Sequence, residues 1–319
     1  MTIAAQRYRG RFAPSPTGGL HFGSLVAALG SYCDARAAGG QWLLRIEDVD
    51  TQRTRPGAET LILRTLERYG FEWDGPVMRQ SERTRQYGEA LAQLKARGDV
   101  FPCVCTRRSL GAMRLGAGGE AVYPGTCRIR AIDDTSERER CTWRLRVDRG
   151  SSATINFVDR LQGPQSQHLI RDVGDFSLRR ADGLFTYQLA VVVDDAEQEI
   201  SHIVRGADLL ASTARQIYLQ HRLGLSTPVY LHLPVAVDDR LEKLSKQTRA
   251  KPVMSDPLPA LAAAWRFLDQ PSPPAIVFGG VADFWTFAVA AWNPHALPPV
   301  PVRITPAMAG SGPGLSAAI

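Results

Sequence analysis

The 319-residue chain has no run of 18 apolar residues, so no membrane-spanning helix is expected. Its N-terminal segment carries arginines but no apolar h-region, which argues against a secretory signal. Cysteine is sparse and odd in number, five in all, and two of them form a Cys-x-Cys pair. A reduced, cytoplasmic setting fits that usage better than a disulfide framework does. Neither G-x-x-x-x-G-K-[ST] nor G-x-G-x-x-G occurs, so the chain has no Walker loop and no dinucleotide fingerprint. Internal repeats and long low-complexity tracts are absent as well; AMAGSGPGLSAAI at the C-terminus reads as a mobile tail.

The rest of the composition is that of a globular chain. It is 44% hydrophobic and 22% charged, enough apolar material for one large or two moderate domains. The net charge of +6 is uneven: from Pro252 onward two basic residues face three acidic ones, which leaves +7 on residues 1–251. The same final stretch holds 12 of the 21 prolines, and this shift marks a boundary near residue 250. A basic surplus of that size suits a polyanionic partner, and it equally suits a solvated basic surface.

Strands alternate with helices along the chain. RYRGRFA reads as a strand, LVAALGSYCDARAAG as a helix and QWLLRIED as a second buried strand. ETLILRTLERYG and TRQYGEALAQLKARG are amphipathic helices, and LFTYQLAVVVDD is expected to be a further strand and turn. EISHIVRGADLLASTARQIYLQHRLG follows as a strand and then a long helix. Strand, Gly-rich loop, helix and strand open a right-handed crossover on a parallel sheet, so the expected fold is α/β and nucleotide-binding. Residues 100–180, with cysteines, arginines and short β-like runs, break the rhythm as an inserted subdomain would.

Two stretches carry chemistry. In RFAPSPTGGLHFGSL, residues 11–25, two prolines fix the path and Gly18 and Gly19 let backbone approach a ligand. The helix that follows offers unpaired N–H groups at its positive end, with His21 and Gly23 at its start. The loop is a phosphate cradle or a structural turn, and His21 a phosphate donor or a backbone-satisfied helix-start residue. In DDRLEKLSKQTRA, residues 238–250, Lys243 and Lys246 sit three apart. Such lysines meet charge that builds on a phosphate, or they are solvated surface.

Together these stretches resemble the two signatures of class I aminoacyl-tRNA synthetases, in the glutamyl and glutaminyl branch. RIEDVD (45–50), TYQLAVVVDD (186–195), HIVRGADLLASTARQ (202–216) and VYLHLP (229–234) extend the resemblance, collinear over about residues 7–250. Ser24 stands where the first signature often ends in histidine, and Leu244 and Gln247 where the second usually has methionine and serine. Val191 stands where full-length glutamyl enzymes carry asparagine. The stretch that follows Ala250 is Pro-rich and slightly acidic, too short and too poorly charged for an anticodon-binding domain. The truncated pattern resembles the glutamyl-queuosine tRNA(Asp) synthetase family, whose members activate glutamate with ATP and attach it to the queuosine base at the wobble position of tRNA(Asp).

The resemblance implies a Rossmann-like class I catalytic domain with a parallel sheet, an inserted zinc-containing subdomain and no anticodon-binding domain. Residues 1–100 would form its first half, 101–180 the insertion, 181–250 the second half with the KLSKQ loop, and 251–319 a short extension. Pro14, Ser15, Gly18, His21, Gly23 and Ser24, with Lys243 and Lys246, would bind ATP and its Mg²⁺; His21 and Lys246 would be catalytic. Free glutamate presents two carboxylates and one ammonium, which need separated cations and one anion. Arg11 and Arg205 can take a carboxylate, Glu47 the ammonium, and Ser15 and Tyr187 can supply hydroxyls. Ala13 belongs to the same stretch. Asp194 and Asp195 are expected to cap a turn and receive no role.

Cys103, Cys105 and Cys127 lie close together in sequence on a loop-rich stretch that suits a tetrahedral structural zinc. No histidine lies between positions 22 and 167, so Tyr123, Glu120 or water must complete the site. The family has a site of this spacing with tyrosine as the odd ligand, which implies Tyr123. Cys33 and Cys141 are expected to be plain buried residues. The partners implied are ATP, L-glutamate and queuosine-bearing tRNA(Asp), with the protein a monomer and no membrane. Two other readings stand beside this one: a charger of tRNA(Glu) without its anticodon module, and an idle paralogue that binds tRNA or amino acid. The presence of Arg11, His21, Gly23, Glu47, Tyr187, Arg205 and Lys246 argues against the last.

Overall fold

The computed structural model describes residues 8–110, 113–116, 121–129, 140–237, 253, 256–272, 279–299 and 302–303. The RYRGRFA segment forms β1 (Arg9–Phe12), and a crossover helix α1 (Phe22–Ala37) leads to β2 (Gln41–Ile46), which pairs with β1 in parallel. α1 ends where the sequence runs into two glycines. Gly39 takes a left-handed φ of +63°, and the Gly39 and Gly40 N–H groups donate to Arg36 O and Ala35 O. A Cβ on Gly40 would lie 2.5 Å from the Tyr8 carbonyl oxygen, so only glycine lets β2 start against β1 here.

α2 (Ala58–Arg68) precedes β3 (Met78–Arg79), which joins β2 in parallel, and α3 (Thr84–Ala96) follows. The chain then builds β4 (Val100–Cys103), β5 (Thr142–Leu145), β6 (Thr154–Asp159), β7 (Gly163–His168) and β8 (Phe176–Arg179). β4, β5 and β8 make a separate antiparallel sheet, whereas the β6–β7 hairpin returns to the main body. After α4 (Tyr187–Glu197), β9 (His202–Gly206), α5 (Leu210–Leu223) and β10 (Val229–Leu233) complete the second half. β10 lies parallel to both β9 and β6. The two halves meet where the Ser201 N–H donates to Arg9 O at 3.0 Å, so β1 and β9 sit side by side at the centre.

The LFTYQLAVVVDD segment is not a strand and turn: residues 187–197 form α4. Leu189, Ala190, Val191 and Val192 are all buried there, so the run shows no alternation and its period is silent. Packing against α3 and α5 overrides the strand preference of the valines.

Two apolar cores flank the sheet. One gathers α1, α2 and one sheet face, and the other gathers α3, α4, α5 and the opposite face. α6 (Pro257–Phe267) and α7 (Val281–Ala291) belong to the first core, where Leu261, Trp265 and Phe284 are buried near Leu29 and Trp42. Asp34 on α1 fixes this region: its carboxylate accepts from Tyr8 Oη (2.5 Å), Arg160 (2.6 and 3.1 Å) and Trp292 Nε1 (3.0 Å). Cys33 and Cys141 are buried, as expected. Among the described residues no helix is long and apolar enough to cross a membrane.

Candidate active site

A cavity of about 460 Å³ opens at the C-terminal ends of β1, β2, β9 and β10, the usual ligand position of a parallel α/β sheet. Arg11, Ala13, Pro14 and Ser15 line it from the end of β1. His21, Gly23 and Ser24 reach it from the start of α1, Glu47 from the end of β2, Tyr187 from the first turn of α4, and Arg205 from β9. Gly18, at φ +145°, is not a lining residue; it shapes the turn before α1. Val191, one turn beyond Tyr187, is buried away from the cavity lining.

His21 is the N-cap of α1. Its Nδ1 accepts from the Ser24 N–H at 3.3 Å, so the neutral ring carries its proton on Nε2. The capping reading and the phosphate-donor reading are therefore compatible, because they use opposite ring nitrogens. Lys243 and Lys246 lie outside the described residues, as does Glu120. The chain on either side of the lysine loop is nonetheless placed. β11 (Ala236–Val237) starts at the cavity wall, and the Val253 N–H donates to Leu20 O at 3.0 Å, next to His21.

The floor of the site is a buried charge network. Asp195 Oδ1 accepts from Arg11 Nε at 3.1 Å and pairs with Arg45 Nη2 at 2.8 Å, and Arg45 reaches Glu47 Oε1 at 3.4 Å. Arg45 Nη1 also donates to Gln198 Oε1 at 2.8 Å. Burial would lift the Asp195 carboxyl, but the Arg11 and Arg45 guanidinium groups outweigh it and hold it below the usual range. For Glu47 burial prevails over Arg45 and Arg11, and its carboxyl is raised. Burial, reinforced by the Glu47 charge, also raises the Tyr187 phenol and keeps it a hydroxyl donor. Asp194 accepts from Gln80, Arg83 and Tyr87 and pins α4 to α3.

The two aspartates thus hold charge networks in place of the turn cap expected of them. The signal is in the sequence: adjacent acids closing an apolar run must be paired once that run is buried. Arg45 and His232 escape the sequence reading for a related reason. Each is a polar residue within a strand of apolar neighbours, and each is fully buried. Arg205 is 5% exposed; its Nε and Nη2 have partners, while Nη1 is buried with no hydrogen-bond partner. Arg205 itself lines the cavity, so this orphan N–H belongs to a cavity residue with hydrogen-bonding capacity left to satisfy.

A second cluster lies in the insertion. The sulfurs of Cys103, Cys105 and Cys127 fall within 4.8 Å of one another, with Cys105 and Cys127 3.4 Å apart. The Tyr123 hydroxyl oxygen stands 3.3 Å from Cys103 Sγ and 3.8 Å from Cys105 Sγ, and it accepts the Cys127 N–H at 2.8 Å. Tetrahedral zinc with Zn–S bonds of about 2.3 Å sets sulfurs about 3.8 Å apart, so this donor set fits the ion. Arg144 lies 4.0 Å over the Tyr123 ring in a cation–π contact, while burial and the hydrogen bond with Cys103 raise the Tyr123 phenol.

Residues 7–260 match the profile described as tRNA synthetases class I (E and Q), catalytic domain. The chain belongs to that family. Among its relatives, a glutamyl-Q tRNA(Asp) synthetase of Dechloromonas aromatica is 56% identical over 94% of this chain and 99% of its own length. One from Aromatoleum aromaticum is 55% identical over 91% and 90%. Of solved structures in the family, a glutamate tRNA ligase from Elizabethkingia meningosepticum in complex with its amino acid superposes with a TM-score of 0.79. It is 26% identical and covers 95% of this chain and 68% of that one. The class I synthetase fold and its parallel sheet are thus those expected from the signatures.

Proposed function

We propose that the protein activates L-glutamate with ATP and transfers it to the queuosine base at the wobble position of tRNA(Asp). The observation that carries the glutamate site is the cavity itself: two arginines, one of them with an unpartnered Nη1, lie beside a single buried acid and a tyrosine hydroxyl. Arg205 Nη1 and the terminal nitrogens of Arg11 take a carboxylate, Glu47 takes the ammonium, and Ser15 and Tyr187 donate hydroxyls. The glutamate α-carboxylate oxygen attacks the α-phosphorus, the bond to pyrophosphate breaks, and glutamyl adenylate remains. Pro14, Ser15, Gly23 and Ser24 cradle the nucleotide at the helix start, after the turn that Gly18 shapes. His21 donates from Nε2 to phosphate oxygen, and Lys243 and Lys246 bring positive charge from the KLSKQ loop. Mg²⁺ bound to ATP neutralises phosphate charge. An acceptor hydroxyl then attacks the mixed anhydride, and AMP leaves.

Cys103, Cys105, Tyr123 and Cys127 would hold a zinc ion that staples the insertion, with no part in the chemistry. All five cysteines are free thiols, consistent with a reducing, cytoplasmic setting. The working unit is proposed to be one chain.

The acceptor rests on relatives 51–56% identical that carry the glutamyl-Q name. The resemblance to a glutamate tRNA ligase favours tRNA(Glu) as the alternative acceptor. Labelled glutamate and ATP, offered with tRNA(Asp) bearing or lacking queuosine and with tRNA(Glu), decide between them. Label on modified tRNA(Asp) alone supports the proposal; label on tRNA(Glu) alone overturns it.

A further inference from the structure

Three neighbouring strands carry a buried relay that ends at Arg205. β10 pairs with β9 so that His232 lies opposite Arg205, and β6 on the other edge of β10 brings Asp159 opposite Tyr230. His232 and the Asp159 side chain are fully buried, and neither lines the cavity. Arg205 Nε lies 3.0 Å from His232 Nε2, and Asp159 Oδ2 lies 2.6 Å from His232 Nδ1.

These contacts fix the tautomer. Arginine Nε can only donate, so His232 Nε2 must be the acceptor, and the ring proton sits on Nδ1, given to Asp159. Asp159 is held in turn. Its Oδ1 accepts the Leu161 and Gln162 N–H groups at 3.0 and 2.8 Å, and its carboxylate also takes the His232 N–H. Thr213 Oγ1 receives Arg205 Nη2 at 2.8 Å. With Nε and Nη2 anchored, the guanidinium plane is set, and Nη1 is the nitrogen left over.

We propose that Asp159 and His232 are positioning residues that orient Arg205 for the substrate carboxylate, by keeping His232 in the acceptor tautomer. This rests on the reading of Arg205 as a glutamate ligand. It differs from plain core packing in depending on where one proton sits, which an isosteric substitution can reverse.

Asp159→Asn is that substitution. The Leu161 and Gln162 N–H groups on Oδ1 hold the amide oxygen there, with the His232 N–H shared at 3.2 Å from Oδ1 and 3.1 Å from Oδ2. This turns the amide NH₂ toward His232 Nδ1. The ring proton must then move to Nε2, where it opposes the Arg205 Nε–H. It can be accepted only by Thr213 Oγ1 at 3.1 Å, the same oxygen that anchors Arg205 Nη2; either way the Arg205 Nε bond is lost. A second pair is independent of that loop: His232→Gln keeps an acceptor oxygen for Arg205, and His232→Met fills the volume without one.

ATP–pyrophosphate exchange by the full chain, with glutamate and ATP varied separately, tests the relay, and Arg205→Ala is the control. Asp159→Asn and His232→Met are expected to raise the glutamate KM at least about tenfold, the loss of one charge-assisted contact, with the ATP KM within about twofold. His232→Gln is expected to stay within about threefold of wild type. If Arg205→Ala raises the glutamate KM while Asp159→Asn and His232→Met do not, the relay falls and the glutamate site stands. If Arg205→Ala leaves it unchanged, the reading of the site falls. A parallel rise of both KM values, or equal damage from His232→Gln and His232→Met, makes the role structural and overturns the proposal. Should Asp159→Asn not fold, the Gln and Met pair still decides.

Discussion

Asp195 receives Arg11 through Nε at 3.1 Å, so the arginine that faces the cavity is held from behind by an acid on a different element. Arg45 shares the same oxygen at 2.8 Å, and the three side chains lock β1, β2 and α4 into one rigid floor. Rigid placement of the cation is what a small, highly solvated substrate requires, because little binding energy is left over to order loose side chains.

Asp195→Ala leaves two buried guanidinium groups facing each other across a void. Breaking a buried pair by removal of one partner costs about 3–5 kcal/mol, and urea denaturation should report a loss of that order. Asp195→Asn keeps the volume and an acceptor oxygen. It should fold, and it should lose about 10- to 100-fold in adenylate formation as Arg11 drifts. An Asn variant with wild-type exchange kinetics would show that Arg11 needs no such support.

His21 offers a separation of two roles on one ring. The cap uses Nδ1 and the proposed phosphate contact uses Nε2. His21→Asn supplies a good N-cap oxygen without the distal donor, so its stability should stay near wild type; His21→Ala should lose about 1 kcal/mol. Both should depress pyrophosphate exchange by about 100-fold, the usual scale for one lost charge-stabilising donor. Normal exchange by His21→Asn would leave His21 as a cap only.

Most of the main frame is legible in the sequence, because β1 runs straight into a Pro- and Gly-rich loop, β2 is a short, mostly apolar run, and α1 is bounded by His21 and two glycines. Residues 187–197 mislead for a physical reason. Leu189, Ala190, Val191 and Val192 are buried on successive sides of the helix, so this stretch shows no polar face and its sequence resembles a core strand. The cavity residues Arg11, Glu47, Tyr187 and Arg205 are legible through their motifs, yet the side chains behind them are not. Arg45, Asp195 and His232 come from distant segments, and their partnerships exist only once strands from opposite halves of the chain are adjacent. The two helices after residue 256 are likewise invisible as part of the core, since their proline-rich surroundings suggest an appendage; Trp292 bonding to Asp34 makes them part of the first layer.

That Asp34 contact gives a pH signature. Burial would raise the Asp34 carboxyl, but Arg160, Tyr8 and Trp292 overcome it and the carboxyl is lowered. A carboxyl lowered in the folded state binds fewer protons there than in the unfolded chain, so stability rises with pH. The contribution is complete above the ordinary aspartate value of about 4 and is lost as pH falls through the lower folded value. Asp34→Asn should therefore melt well below wild type at pH 7, by about 1–3 kcal/mol, with the gap narrowing below about pH 4. A gap that is constant with pH would mean that shape, not charge, is what Asp34 contributes.

The cluster of Cys103, Cys105 and Cys127 predicts a metal-dependent insertion. Among the described residues, Phe101, Cys103, Tyr123 and Cys127 form a small core of their own, separate from the two large ones, too small to hold a loop-rich segment alone. Zinc would supply the missing free energy, and purified protein should contain about one equivalent. Cys127→Ser should lose the ion and expose the insertion to proteolysis, while the sheet of β1, β2, β9 and β10 stays folded. Tyr123→Phe separates the ligand role from the hydrophobic one: it keeps the ring under Arg144 and removes the oxygen. Weaker zinc retention under a chelator is expected for it, by about 10- to 100-fold. Clean wild-type protein without zinc, resistant to protease at the insertion, would mean that the sulfurs and Tyr123 close this core by packing and hydrogen bonds alone.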